Sequence, residues 1–477
     1  MPYLSIAAID AAVDHITSTY PAIATPVSLP ETSVEGRPIK ALKIADGGSS
    51  GRTAILFIGG THARELVNPE TLISFAIRLC DAYTNGTGLA FGARSYDPGA
   101  VRSVVSALDI LIVPMLNPDG RNHCLVGGEP MWRKNRAANP GLRCRGVDLN
   151  RNYDFLFASG IGTSADSCSD VFKGPSAFSE PETRNVKWLI DRHENLACVV
   201  DVHSYSELVL HPWGDDQNQS TNPSMNFRNP AFDGQRGVVG DSYREYIPAS
   251  DEQAHVSLGG RVRDGIAAVR GRTYTVQPGI DLYPTSATAH DYAYAYPFVH
   301  PGRRRILGFT LETARSFQPG DAEKSNVITE VSAGLMEFLL GTLCPAELIQ
   351  ALVDAVFPLR EMRGFRDRVM ASTKAGKRYA SLYRKHSDEL VRLFGRDKKA
   401  LAIGRQLLTV AGHLVDDDGR GATRSIAPDD LKQITAALTQ LQAFAGPALK
   451  ADLAAALGDA RNLSGTTLAG ALDRLSR

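Results

Sequence analysis

Cysteine is scarce in this 477-residue chain: the six present, Cys80, Cys124, Cys144, Cys168, Cys198 and Cys344, form no Cys-x-x-Cys pair. That spacing argues against a thiolate zinc site or a dithiol redox motif. An excess of either charge is also missing, with Lys and Arg totalling 52, Asp and Glu totalling 52, and no long basic block. Nucleic acid and anionic membrane surfaces are therefore not expected as main partners. No apolar run approaches the ~20 residues of a membrane-spanning helix. The opening MPYLSIAAIDAAVDHITSTYP has no basic segment leading into an apolar core; its Ala, Ile and Val spacing predicts an amphipathic helix with Asp10 and Asp14 facing outward. No signal peptide is legible, which favours the cytoplasm. Against these absences stands a hydrophobic content of 43%, enough for a sizeable core. The length sets a soft prior of roughly three domains, although one large α/β enzyme domain can absorb much more.

The apolar, β-branched run RTAILFIGG stops at Gly59 and Gly60 and leads into THAREL, with His62 and Glu65 three places apart. It reads as a buried strand ending in a turn. Other runs end in the same manner. LDILIVPML (Leu108–Leu116) passes into NPDGRN, LACVVDVHSYS carries His203 at its end, and ILGFTLETAR carries Glu312. Open α/β sheets bind ligands beyond such strand ends, so these endings predict a single cleft along one sheet edge. A second His-x-x-Glu pair, His386 and Glu389, lies among apolar residues at helical spacing. A solvated helix face accounts for it.

From Asp46 to Glu312 such strands alternate with amphipathic helices, among them NPETLISFAIRLCDAY and SEPETRNVKWLIDRHEN, which predicts a doubly wound α/β sheet. The polar, Asn/Pro/Gly-rich stretch from Gly214 to Ala254 is expected to be mostly surface loop near the cleft. A helix over NVITEVSAGLMEFLLGTL closes this part, and Gly341, Cys344 and Pro345 mark a boundary. Domains are thus expected at 1–343 and 346–477. The second loses its strand signals, and runs such as KKALAIGRQLLTVAGHL and PDDLKQITAALTQLQAF make it all-helical over roughly 130 residues. Its Asp416-Asp-Asp-Gly motif lacks the spacing and closing Glu of a calcium loop and reads as a loop after a helix. Cys80 and Cys198 sit in apolar runs and read as buried thiols.

Two histidines and a glutamate form one standard catalytic zinc set, with an open fourth position. His62, Glu65 and His203 meet that description. With YPAIATPVSLPETSVEGRPIKAL, THARE, NPDG, MWRKNR, GVDLNRNYDF, DVHSYSELVLHPWG, DLYPTSATAHDYAY and FTLETAR in order, the chain resembles the M14 zinc carboxypeptidases, carboxypeptidase A-like branch, over about residues 3–343. The resemblance implies that fold, a mixed sheet, and hydrolysis of the C-terminal peptide bond of peptides or proteins. It implies one zinc ion on His62, Glu65 and His203, with Asp148 orienting His62. Glu312 would take a proton from the zinc-bound water and hand it to the leaving amine, and Arg133 would stabilise the tetrahedral oxyanion. Asn150 and Arg151 would hold the substrate carboxylate, Tyr283 would close over it, and Arg64 would be a further substrate contact. The family often carries a disulfide where Cys144 and Cys168 stand, which is in tension with the missing signal peptide.

Against that pattern no propeptide is expected ahead of the match, YAYPFVHPGRRR reads as an insertion between Asp291 and Glu312, and the tail is additional, with no partner legible. The catalytic pattern is complete by about Leu343, so a chain cut after Pro345 is expected to fold and keep its zinc. His290 falls where residue type separates preferences for apolar and basic C-terminal residues, among Leu210, Gly214, Leu282, Thr285 and Thr310. An unperturbed histidine there is neutral at pH 7 and charged near pH 5, which predicts aromatic or large aliphatic C-termini at neutral pH and a gain for Glu-terminated substrates in acid. Asp215 or Asp281 reaching the pocket would instead draw in a basic side chain. Two rival readings are an M14 peptidase of cell-wall or isopeptide bonds and a catalytically silent peptide-binding protein.

Overall fold

A computed structural model describes residues 3–47, 52–343, 370–396, 398–414, 425–460 and 463–476. The chain divides into two compact units, Met1–Thr342 and Leu343–Arg477. The expected boundary at Cys344 and Pro345 and the loop at Asp416 lie outside the described residues.

Among the described residues the first unit has twelve strands: β1 Ala24–Val27, β2 Ala41–Ile44, β3 Thr53–Gly59, β4 Leu89–Phe91, β5 Arg94–Tyr96, β6 Leu108–Val113, β7 Leu196–Ser204, β8 Leu208–His211, β9 Asn218–Gln219, β10 Glu245–Tyr246, β11 Thr275–Pro278 and β12 Leu307–Thr313. Its helices are α1 Ile6–Thr19, α2 Val67–Thr84, α3 Pro98–Ala107, α4 Pro118–Val126, α5 Pro181–Arg192, α6 Ala249–Arg270, α7 Ala289–Val299 and α8 Asp321–Thr342. Eight strands make one sheet in the order β1-β2-β6-β3-β7-β12-β8-β11. The central four, β6, β3, β7 and β12, are mutually parallel, whereas β1, β2 and β8 introduce antiparallel pairings. The fold is therefore the mixed, doubly wound sheet expected, and the four runs that end in polar residues lie side by side with their ends at one edge.

Alternation along β3 serves both faces. Leu56 and Ile58 join a core with Val186, Leu189 and Ile190 of α5 and with Ala289, Tyr292 and Ala293 of α7. Phe57 points the other way, its ring centroid 6.4 Å from Phe75 of α2 and 6.1 Å from Phe338 of α8. The strand must stop at two glycines. A Cβ at Gly59 would stand 2.8 Å from Leu72 Cδ1 and 2.9 Å from the Pro114 carbonyl, and Gly60 has φ +65°, a left-handed turn that L side chains adopt at a cost. The N-terminal helix forms as expected: Ser5 caps α1 by accepting from the Ala8 amide, and Ile9, Val13 and Ile16 are its buried stripe.

The stretch from Gly214 to Ala254 is less loop-like than its composition suggests. β9 and β10 pair in parallel within it, and α6 begins at Ala249. Asp215, Asp216, Arg236 and Glu245 are all buried there; Asp216 accepts from the Gln217 and Gly237 amides, and Glu245 from the Phe227 amide.

In the second unit the regular elements among the described residues are helices: Lys374–Arg396, Lys398–Leu414, Pro428–Leu441, Pro447–Ala460 and Leu468–Arg474, with a 3-10 turn at Met370–Ser372. Ile403, Ala437, Leu441, Leu449 and Leu453 form one of its small cores. His386 does not lie on a solvated face. It is buried, with Nε2 2.6 Å from Asp452 Oδ2 and Nδ1 3.7 Å from Glu389, while Glu389 also accepts from the Gly446 amide. The pair joins helices. No described helix is long and apolar enough to cross a membrane.

Candidate active site

His62 and Glu65 occupy the turn between β3 and α2, and His203 ends β7. Their ligand atoms all lie within 4.8 Å of one another, and all three residues are buried. Nδ1 of His62 is 2.7 Å from Glu65 Oε1, Nδ1 of His203 is 3.1 Å from Glu65 Oε2, and the two Nδ1 atoms face each other at 3.0 Å. Burial works against ionisation of Glu65, but the two imidazoles outweigh it and hold its carboxyl below the usual range. Two ring nitrogens and a carboxylate converging on one buried point are the donor set of a divalent cation, and two nitrogens with one carboxylate suit zinc. The residues fit the metal that the sequence pattern implies.

Asp148 stands behind His62, 3.1 Å from its Nε2, and starts the short 3-10 turn Leu149–Arg151. Its other oxygen accepts from Arg133 Nε at 3.1 Å and from Nη2 at 2.9 Å. Despite full burial, Arg133 and His62 hold its carboxyl well below the usual range. Glu312 is the register partner of His203 in the parallel β12–β7 pair, so the two side chains emerge beside each other. Burial pushes Glu312 up to about 8, reinforced by Glu65 and opposed by His203 and Arg133. A cation at the neighbouring ligands acts against that shift.

Asn150 and Arg151 come directly after Asp148 in the same turn and are buried. Arg151 gives Nε to the Gly162 carbonyl at 2.9 Å and Nη1 to the Asn150 carbonyl at 2.7 Å, and it makes no ion pair with a carboxylate among the described residues. Asn150 Oδ1 accepts from the Ala289 amide at 2.9 Å. Tyr283 is 48% exposed, so its ring has room to move. Arg64 lies over the Phe317 ring at 4.2 Å and 3.2 Å from Asp170. Cys144 and Cys168 are joined in a disulfide, and Cys80, Cys124 and Cys198 are buried free thiols.

His290 behaves differently from the expectation for an open pocket wall. It is 3% exposed, Nδ1 is 2.9 Å from Thr310 Oγ1, and burial pushes its pKa down to about 3. It therefore stays neutral at pH 5 and supplies no acid-dependent gain for Glu-terminated substrates. In an NMR titration of the ring from pH 8 to 5, His290 is expected to keep neutral-imidazole shifts, and a midpoint near 6.5 would contradict this assignment. Asp281 is exposed, and Asp215 is fully buried, its carboxyl pushed far up by burial and by Glu245.

Sequence reasoning passed over Asp201. It lies two residues before His203 on the same strand face, with Oδ2 2.8 Å from His203 Nε2. The period-2 pairing Asp-x-His in a strand was the available signal.

Compared with known proteins, the chain matches the family model for zinc carboxypeptidase, peptidase M14, over residues 9–329. It is 32% identical over 293 residues to carboxypeptidase A4 of Mus musculus, a match covering 61% of this chain and 59% of that one. It is 35% identical over 226 residues to carboxypeptidase B of Helicoverpa zea, covering 46% and 48%. Such matches span about half the length of those relatives. The crystal structure of carboxypeptidase A from Helicoverpa armigera superposes with TM-score 0.54 at 25% identity and 74% coverage of both chains. Thrombin activatable fibrinolysis inhibitor shares the fold, with TM-score 0.57 at 21% identity and coverage of 71% and 74%.

Proposed function

The chain belongs to the zinc carboxypeptidase family, and on that premise we propose that it is a metallocarboxypeptidase. It removes C-terminal residues from peptides or proteins with one zinc ion held by His62, Glu65 and His203. The observation that carries this reading is the convergence of those three residues beside Glu312, with a buried Arg151 that no described carboxylate neutralises.

When bound, zinc supplies Lewis acidity, lowering the pKa of water towards ~7 and polarising a carbonyl. Glu312 accepts a proton at its carboxylate as water oxygen bonds to the scissile carbon, then returns that proton to the amine nitrogen as the C–N bond breaks. Its register position beside His203 supports assigning both transfers to this one carboxylate. Arg133, held through Asp148 to His62, keeps a fixed positive charge at the ligand turn, which stabilises negative charge developing on the carbonyl oxygen. Arg151 and Asn150 bind the terminal carboxylate, Tyr283 and Arg64 line the approach, and His290 contributes a neutral ring at the pocket. Residues 1–343 form the catalytic domain, and the described helices from Lys374 onward belong to a second module with no assigned partner.

Peptides differing only in a free or an amidated C-terminus test this reading. The free acid is expected to be cleaved and the amide not. Arg151→Ala should lower kcat/KM on the free acid roughly 10- to 100-fold, the range of a charge-assisted hydrogen bond. Equal cleavage of both peptides would replace the exopeptidase assignment with a general hydrolase.

A further inference from the structure

The two histidines that face Glu65 each have a carboxylate behind them. For His62 it is Asp148, joined by a hydrogen bond. For His203 it is Asp201: Oδ2 stands 2.8 Å from Nε2 in a buried contact off the ring N–H axis, and neither atom has an aligned hydrogen-bond partner. Oδ1 of Asp201 accepts from Thr61 Oγ1 at 2.9 Å. Thr61 immediately precedes His62 in the turn after β3, so Asp201 touches both chain segments that carry the three converging residues.

We propose that Asp201 is a positioning residue for the metal site, keeping the proton of His203 on Nε2, so that the Nδ1 lone pair faces Glu65 and His62, and tying β7 to the ligand turn. The inference rests on the zinc reading above. A neutral imidazole carries one N–H. With that proton on Nε2, the buried Asp201 oxygen lies 2.8 Å from an N–H dipole; with it on Nδ1, the carboxylate oxygen faces a ring lone pair at that same distance, too close for water to intervene. The second arrangement is strongly disfavoured, and the first is the one a metal ligand needs. Carboxylates behind ligating histidines fix ring orientation in this way, and their loss typically weakens metal binding 10- to 100-fold. The contact arises from strand geometry, since residues two apart in β7 share a face.

The test compares the full chain with Asp201→Ala, Asp201→Asn and Thr61→Val by chelator competition for Zn²⁺, metal stoichiometry, melting of the metal-free forms and the His203 Nε2–H proton resonance of the zinc-loaded forms. Asp201→Ala is expected to weaken Zn²⁺ binding about 10- to 100-fold at unchanged saturating stoichiometry. Its Nε2–H resonance should move upfield and exchange faster. Asp201→Asn should recover part of the affinity, because its amide oxygen can still accept from Nε2; Thr61→Val should have the smaller effect. A purely structural role would lower the melting temperature and leave the affinity and the resonance of folded protein unchanged, and that result overturns the proposal. So does Asp201→Ala affinity within twofold of the parent. If Asp201→Ala is not recovered folded, full parental affinity and resonance in Asp201→Asn overturn it. Failure of the parent chain itself to bind Zn²⁺ would overturn the zinc reading and this proposal together, whereas normal parental binding with unaffected variants rejects Asp201 alone.

Discussion

Glu312→Gln is expected to lower kcat/KM on a peptide with a free C-terminus by roughly 10²- to 10⁴-fold, the contribution of a positioned general acid–base group, while zinc content stays at that of the parent. The substitution keeps shape and removes the proton acceptor. Glu312 is not among the three converging residues, so no metal-ligand atom is lost. Stability provides an internal control with a defined sign. Burial raises the folded-state pKa of Glu312 to about 8, above the ordinary value of 4.5. Without metal, the carboxylate is therefore disfavoured in the folded state between those values, and its cost to stability grows as pH rises through that window and levels off above the folded pKa. The glutamine variant of the metal-free protein should thus melt no lower than the parent at pH 7–8. A variant that folds, holds zinc and turns over within tenfold of the parent would remove Glu312 from the chemistry.

Much of this centre was legible because its residues sit at breaks in simple patterns. Gly59 and Gly60 end an unbroken apolar strand, and residues just past such a break lie at the sheet edge; hence His62 and Glu65 stood out. His203 and Glu312 did so for the same reason, and the parallel order β6-β3-β7-β12 brings all these ends together. Asp201 sits inside an apolar run, where a period-2 pattern distinguishes faces but gives no partner, and its partner Thr61 lies 140 positions away. His290 and His386 show the other limit. Their neighbours in sequence are polar or helical, yet both are buried by elements remote in the chain, His290 against Thr310 and His386 against Asp452. Composition likewise concealed the buried Asp215 and Glu245, since Asn, Pro and Gly describe local turns and say little about what packs over them.

Removal of zinc has the largest expected effect. Exhaustive chelation should reduce peptide hydrolysis to background, and stoichiometric Zn²⁺ should restore it. The facing Nδ1 atoms of His62 and His203 and the Glu65 carboxylate explain why. Without a cation this buried cluster must be held together by protons. Burial opposes a charged His203, yet Asp201 and Glu65 outweigh it and raise its proton affinity well above the ordinary value, which favours a proton on the metal-free ring. That proton must leave Nδ1 before the ring can ligate. Zn²⁺ binding is therefore expected to release about one proton and to weaken progressively as pH falls, because the competing proton is then held more firmly. Calorimetry in buffers of different ionisation enthalpy measures the release directly. Binding to the native state alone adds RT ln(1 + [Zn²⁺]/Kd) to stability, about 4 kcal/mol at a thousandfold excess over Kd, so the loaded protein should melt clearly above the metal-free one. His203→Ala should abolish both the activity and that stabilisation. Retained turnover in protein shown to be metal-free, or undiminished zinc binding by His203→Ala, would place the metal, or the chemistry, elsewhere in the molecule.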